Sequence, residues 1–132
     1  MKNLKLNLVI LFTLLSISLF AQTETKVIAV VTKADWCPTC VKNGGRVSKE
    51  ILPLYQEPTI KIVVNDLTND ATKASSKSAL EPFGIEKVIA KSNTTGEITL
   101  INSKTKKIIS KISVAKSNDQ IKKAFDEAIA KS

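Results

Sequence analysis

Apolar residues along this chain fall into short runs separated by polar, turn-forming stretches, and the spacing inside the runs changes from one to the next. Residues 26–32 (Lys-Val-Ile-Ala-Val-Val-Thr) form a continuous, β-branched run. A run without alternation suits a strand buried on both faces, as parallel strands in α/β sheets are. The following apolar positions, Val41, Val47, Ile51 and Leu52, predict the inner stripe of a helix. Pro38 is placed at its first position, where the missing N–H costs nothing. Gly44-Gly45 predict a kink or break in that helix, and Pro53 predicts its end.

A second strand is read over 59–64 (Thr-Ile-Lys-Ile-Val-Val). The turn-rich stretch 65–70 then supplies N-caps for a polar helix over 70–81, which Pro82 and Gly84 punctuate. Residues 85–91 hold one or two further helical turns, and 93–96 is a loop by composition. Residues 97–102 and 107–113 read as a β-hairpin around turn chemistry centred on Ser103 and Thr105. Ser117, with Gln120 three residues on, makes a capping-box pattern. Ile121, Ala124, Phe125, Ala128 and Ile129 then share one helical face. The order is strand, helix, strand, helix, hairpin, helix. A right-handed crossover makes the first two strands parallel, and the hairpin extends the sheet antiparallel. The expected class is α/β: a small, mixed, four-stranded sheet flanked by helices on both faces.

The first 21 residues stand apart from this core. Lys2 and Lys5 give a basic start, 6–20 is an apolar run, and Ala21 closes it as a small residue, which is the layout of a secretory signal peptide. The run is shorter than the roughly 20 residues a helix needs to cross a bilayer. Cleavage is expected after Ala21, leaving one domain over 22–132 and no integral membrane segment in the mature chain; an uncleaved anchor is the alternative. The expected location is periplasmic or secreted.

Composition narrows the chemistry. The 132-residue chain is 43% hydrophobic but only 5% aromatic, so Ile, Val, Leu and Ala must build the core. It contains no His, which removes the usual general base and the commonest zinc ligand. The net charge of +8 is spread along the chain without interleaved aromatics, which argues for solubility and against nucleic acid.

What remains is Cys37-Pro38-Thr39-Cys40. A two-residue gap lets both sulfurs meet within one turn. A thiolate at the first position sits over the unpaired N–H groups of a helix start, which lower a cysteine's pKa into the range of roughly 3.5–7.5. Cys37 is therefore the expected attacking sulfur. Cys40, one turn in and less exposed, is the expected resolving one. The bland alternative is a structural disulfide, natural in an oxidising compartment. A four-residue ring, however, removes little chain entropy and stabilises little. Two thiolates fall short of zinc's four ligands, so no metal and no cofactor is expected, although a two-coordinate copper(I) site stays open.

An apolar strand ending in Ala34-Asp35-Trp36, then Cys37-Pro38-Thr39-Cys40 opening a helix, resembles the thioredoxin superfamily. Phe83-Gly84-Ile85, the late hairpin and the last amphipathic helix support the resemblance, which covers nearly all of 26–131. It implies that Trp36, Pro38 and Thr39 form the active-site rim and that Cys37 is the nucleophile. Two departures stand out. Where thioredoxins place a cis-proline beside the dithiol, this chain has Thr94-Thr95-Gly96-Glu97-Ile98, so Thr95 and Gly96 form the expected substrate-facing loop. Glycine there predicts a looser backbone and a less shielded dithiol. Val31 occupies the position, six residues before the first cysteine, where thioredoxins often carry a buried carboxylate.

The expected function is that of an exported thiol–disulfide oxidoreductase. Its expected partners are cysteine-containing exported proteins and a thiol electron donor or acceptor. The alternative is a thioredoxin-fold redox sensor or copper(I) carrier without general reductase activity.

Overall fold

The strand β1 (Val27–Lys33) is the one from which both layers of the molecule are built. The computed structural model describes residues 24–56 and 58–132, and the predicted signal peptide lies outside them. β1 pairs in parallel with β2 (Ile60–Asp66) on one side and antiparallel with β3 (Glu97–Asn102) on the other. β3 in turn pairs antiparallel with β4 (Ile108–Ser113), giving the order β2-β1-β3-β4. The mixed four-stranded sheet is the one the element order predicts.

Alternate residues of β1 feed two cores, which is why its sequence carries no polar face. Val27 and Ala29 pack on one side with Val47, Ile51 and, from α4 (Asn118–Ala130), Ile121, Phe125 and Ala128. Ile28 and Val30 pack on the other with Leu80 of α2 (Asp70–Leu80) and with Ile85 and Ile89 around α3 (Glu86–Ala90). Each large apolar side chain buried in this way contributes about 1.5–3 kcal/mol. Both long polar helices open on capping boxes, Asn69 with Thr72 and Ser117 with Gln120.

Several expectations are corrected. α1 runs Pro38–Arg46 straight through Gly44-Gly45, and the departure comes just after them, as a π turn over Val47–Ile51 followed by a 3-10 turn over Leu52–Leu54. Val47 and Ile51, four residues apart across that π turn, both lie in the core. Val41 is not on the inner stripe: it is 71% exposed. β2 continues two residues past its expected end, because Asn65 and Asp66 pair across to Thr32 and Lys33 and outweigh their own turn preference. The hairpin turn is anchored from Asn102, whose side-chain oxygen accepts the N–H groups of Lys104 and Thr105, both at 2.9 Å. Lys106 takes a left-handed conformation there, at φ 58°.

Candidate redox site

β1 ends at Lys33, and α1 begins at Pro38 after four intervening residues; the dithiol sits at that junction, over the end of the central strand. Cys37 is the N-cap of α1, and its Sγ accepts the backbone N–H of Cys40 at 3.2 Å. Pro38 occupies the first helical position, as the sequence predicts. The two cysteines are joined in a disulfide, with Cα atoms 5.2 Å apart. A sulfur at a helix start meets unpaired N–H donors and the positive end of the dipole, so negative charge is stabilised on Cys37 rather than on Cys40.

The turn that presents the pair is held from β2. Asp35 N–H donates to Thr68 Oγ1 at 3.0 Å, and the Trp36 indole N–H donates to Thr68 O at 3.3 Å. The Thr68 hydroxyl donates onward to Asp66 Oδ1, and Thr68 N–H reaches the same oxygen at 2.9 Å. Those bonds, chiefly the hydroxyl's, with help from Lys33, hold the Asp66 carboxyl down at about 2. Lys33 bridges Asp66 at 3.0 Å and Asp35 at 3.6 Å. Trp36 is tied by its edge but stands 62% exposed beside the pair. At its far end α1 is fastened by Arg46, which donates to Val114 O at 2.7 Å, to Lys116 O at 3.0 Å and to Asn118. Neither Thr68 nor Arg46 is singled out by the sequence reading, since both act over about thirty residues or more and carry no local motif.

Gly96 packs directly on the dithiol. A Cβ built there would lie 3.1 Å from Thr39 Cγ2, 3.3 Å from Thr39 Cβ and 3.6 Å from Cys37 Sγ. Thr95 precedes it, half-buried. The expectation of a loose loop and an open dithiol is overturned. Gly96 is buried, at φ +78°, and both of its backbone groups are bonded: its N–H to Thr32 O at 2.8 Å, its carbonyl to Val114 N–H at 2.9 Å. With Thr39 leaning on it, the loop leaves Cys37 only 4% exposed. Cys40 is the more exposed of the two, the reverse of the expected order. The reason is a crevice of about 400 Å³ between α1 and the sheet, which Cys40 lines together with Val31, Val41 and Val64.

A central strand with one parallel and one antiparallel neighbour, a dithiol at the strand-to-helix junction, and a loop into β3 lying against the first sulfur together settle the architecture. The fold is thioredoxin-like. No family model and no curated protein matches the sequence. Among solved structures the chain is similar to one titled Trxlp from Edwardsiella tarda EIB202. The two share 18% identity over 75% of this chain and 81% of that one, at a TM-score of 0.46. The fold assignment stands on the strand order and the placing of the dithiol.

Proposed function

We propose that the protein is an exported thiol–disulfide oxidoreductase that exchanges disulfides with cysteines of other exported proteins. The observation that carries this reading is Cys37 Sγ at the helix start, accepting an N–H bond and already paired with Cys40. In the reductive direction the Cys37 thiolate attacks one sulfur of a partner disulfide. The partner's S–S bond breaks and its other sulfur leaves as a thiolate, which takes a proton from water. Cys40, losing its proton, then attacks Cys37 Sγ in the mixed disulfide; the Cys37–Cys40 bond forms and the second partner thiol is released. Two electrons pass to the partner, and the same steps reversed oxidise a partner dithiol.

Exposure favours Cys40 and thiolate stability favours Cys37. The second effect decides, because only the thiolate is nucleophilic, and Gly96 offers no side chain to block the first sulfur. Shielding also weighs against a copper(I) carrier, which needs both sulfurs open to the ion. The signal-peptide layout supports export, and among the described residues no helix is long and apolar enough to cross a membrane.

Limiting iodoacetamide on the reduced protein at neutral pH, followed by peptide mapping, tests the roles. Label is expected mainly on Cys37, and Cys40→Ser is expected to trap mixed disulfides. Labelling mainly at Cys40, or equal trapping by Cys37→Ser, overturns the assignment. Mass spectrometry of the mature chain should find Gln22 as its first residue, and an intact segment 1–21 on a soluble cytosolic species overturns export.

A further inference from the structure

The crevice beneath α1 has a local cause in the sequence. Gly44 faces it without a side chain, and a Cβ placed there would meet nothing within 4 Å. Val31 lines it, where a carboxylate would make the space polar. Two of its lining residues, Val41 and Val64, are 71% and 44% exposed. Among the described residues five large hydrophobic side chains remain exposed, and three of them, Trp36, Val41 and Val64, belong to this end of the molecule. Exposed apolar surface gathered at one place marks a contact site, whereas single scattered residues do not.

Two features of the walls say what the contact is for. Cys40 forms part of one wall and Gly96 part of another, and Gly96 lies against Cys37 Sγ. An occupant of the crevice therefore touches Cys40 directly and, through Gly96, the loop that lies against Cys37. The two charged residues that line it, Lys33 and Asp35, are paired with each other at 3.6 Å, so little unpaired charge is left there for a charged partner to use. The volume, about 400 Å³, suits one large side chain and no helix or strand.

We infer that the crevice seats an aliphatic or aromatic side chain adjacent to the reactive cysteine of a partner protein. It thereby selects apolar-flanked cysteines from the many an exported oxidoreductase meets. The inference rests on the proposed exchange reaction and names its substrate class. Burial of the flanking side chain in the encounter complex lowers KM for such substrates, while the sulfur chemistry is unchanged.

The test uses the reduced protein and two disulfide peptides that differ only in the residues beside cysteine, Leu and Phe in one and Ser in the other. Glutathione disulfide, which has no such side chain, serves as a third substrate. The apolar-flanked peptide is expected to react about tenfold or more faster at low concentration, through KM. Gly44→Leu, which fills the crevice, and Val41→Lys, a change at an exposed position that places charge at its mouth, should each bring the ratio of the two peptides toward one. Wild-type rates within twofold of each other, with glutathione disulfide still reduced, overturn the crevice as a specificity site and leave the exchange reaction standing. A ratio that survives in both variants overturns it equally. Failure to reduce glutathione disulfide or either peptide overturns the exchange reaction itself.

Discussion

Gly96→Ala is the smallest change that asks whether the loop facing the dithiol is built around glycine. Two costs arise, and the geometry separates them. The φ of +78° is left-handed backbone, which costs an L-residue about 1–2 kcal/mol. The new methyl would also sit 3.1 Å from Thr39 Cγ2, tighter than ordinary contact, for roughly another 1–2 kcal/mol of overpacking. The expected loss is about 2–4 kcal/mol, near 10 °C or more in Tm for a domain of this size. Urea unfolding followed by far-UV circular dichroism measures it. A cycle with Thr39→Ser, which removes the nearest carbon but keeps Cβ at 3.3 Å, should recover part of the packing cost and leave the backbone part. Gly96→Pro should cost more. Proline's φ near −65° cannot reproduce the turn, and the N–H given to Thr32 O at 2.8 Å is lost, adding about 1–3 kcal/mol. A Gly96→Ala protein within 0.5 kcal/mol of wild type would refute this account. So would a Gly96→Pro protein that folds as stably and reduces disulfides faster, because it would show that the loop tolerates the proline thioredoxins carry.

Asp66, at about 2 in the fold against an ordinary 3.8, adds stability that is fully present above about pH 4 and disappears as pH falls toward 2. Allowing for its partial exposure the contribution is about 1–2 kcal/mol, and Thr68→Val should flatten that part of the stability–pH curve. Tyr55 is the chain's only tyrosine, and burial, with a bond to Asp126, pushes its phenol up to about 12. Absorbance titration near 295 nm should therefore show phenolate appearing well above pH 10, and an ordinary midpoint would contradict the packing of its ring on Phe125. A raised acid pKa means the associated stability is present below about pH 10 and is lost between 10 and 12. Gly44→Ala should stabilise the protein by about 0.5–1 kcal/mol in thermal unfolding, since the methyl meets nothing and glycine is a poor helix former.

The elements most legible in the sequence were those in which local pattern and tertiary role coincide. The unbroken 26–32 run is a central strand because its alternate residues feed two cores, and Pro38 and the Ser117–Gln120 pair mark helix starts by their own chemistry. What was not legible depends on partners distant in the chain. Asn65 and Asp66 read as turn residues until β1 stands beside them, and Val41 reads as core until the crevice opens next to it. The exposure of the two sulfurs was misjudged for the same reason. The burial of Cys37 goes with Gly96, some sixty residues beyond it, and the exposure of Cys40 with a crevice lined from both sheet and helix.

The missing proline and the missing carboxylate are two sides of one rearrangement around the dithiol. A proline facing Cys37 would surrender the N–H that ties the loop to Thr32; glycine keeps that bond and leaves room for Thr39 to pack against the loop. On the other side of the disulfide, Val31 turns the space beneath α1 into an apolar crevice, with Gly44 keeping it open. A carboxylate there would have to be hydrated or paired, and it would discourage an apolar occupant at a cost of several kcal/mol. Valine gives up any proton relay to Cys40 from that position. If proton transfer to Cys40 limits turnover, Val31→Asp should speed reduction of glutathione disulfide while erasing the preference for apolar-flanked peptides. These opposite effects, read in the same two assays, distinguish loss of the apolar surface from general damage to the fold, which would lower both rates together.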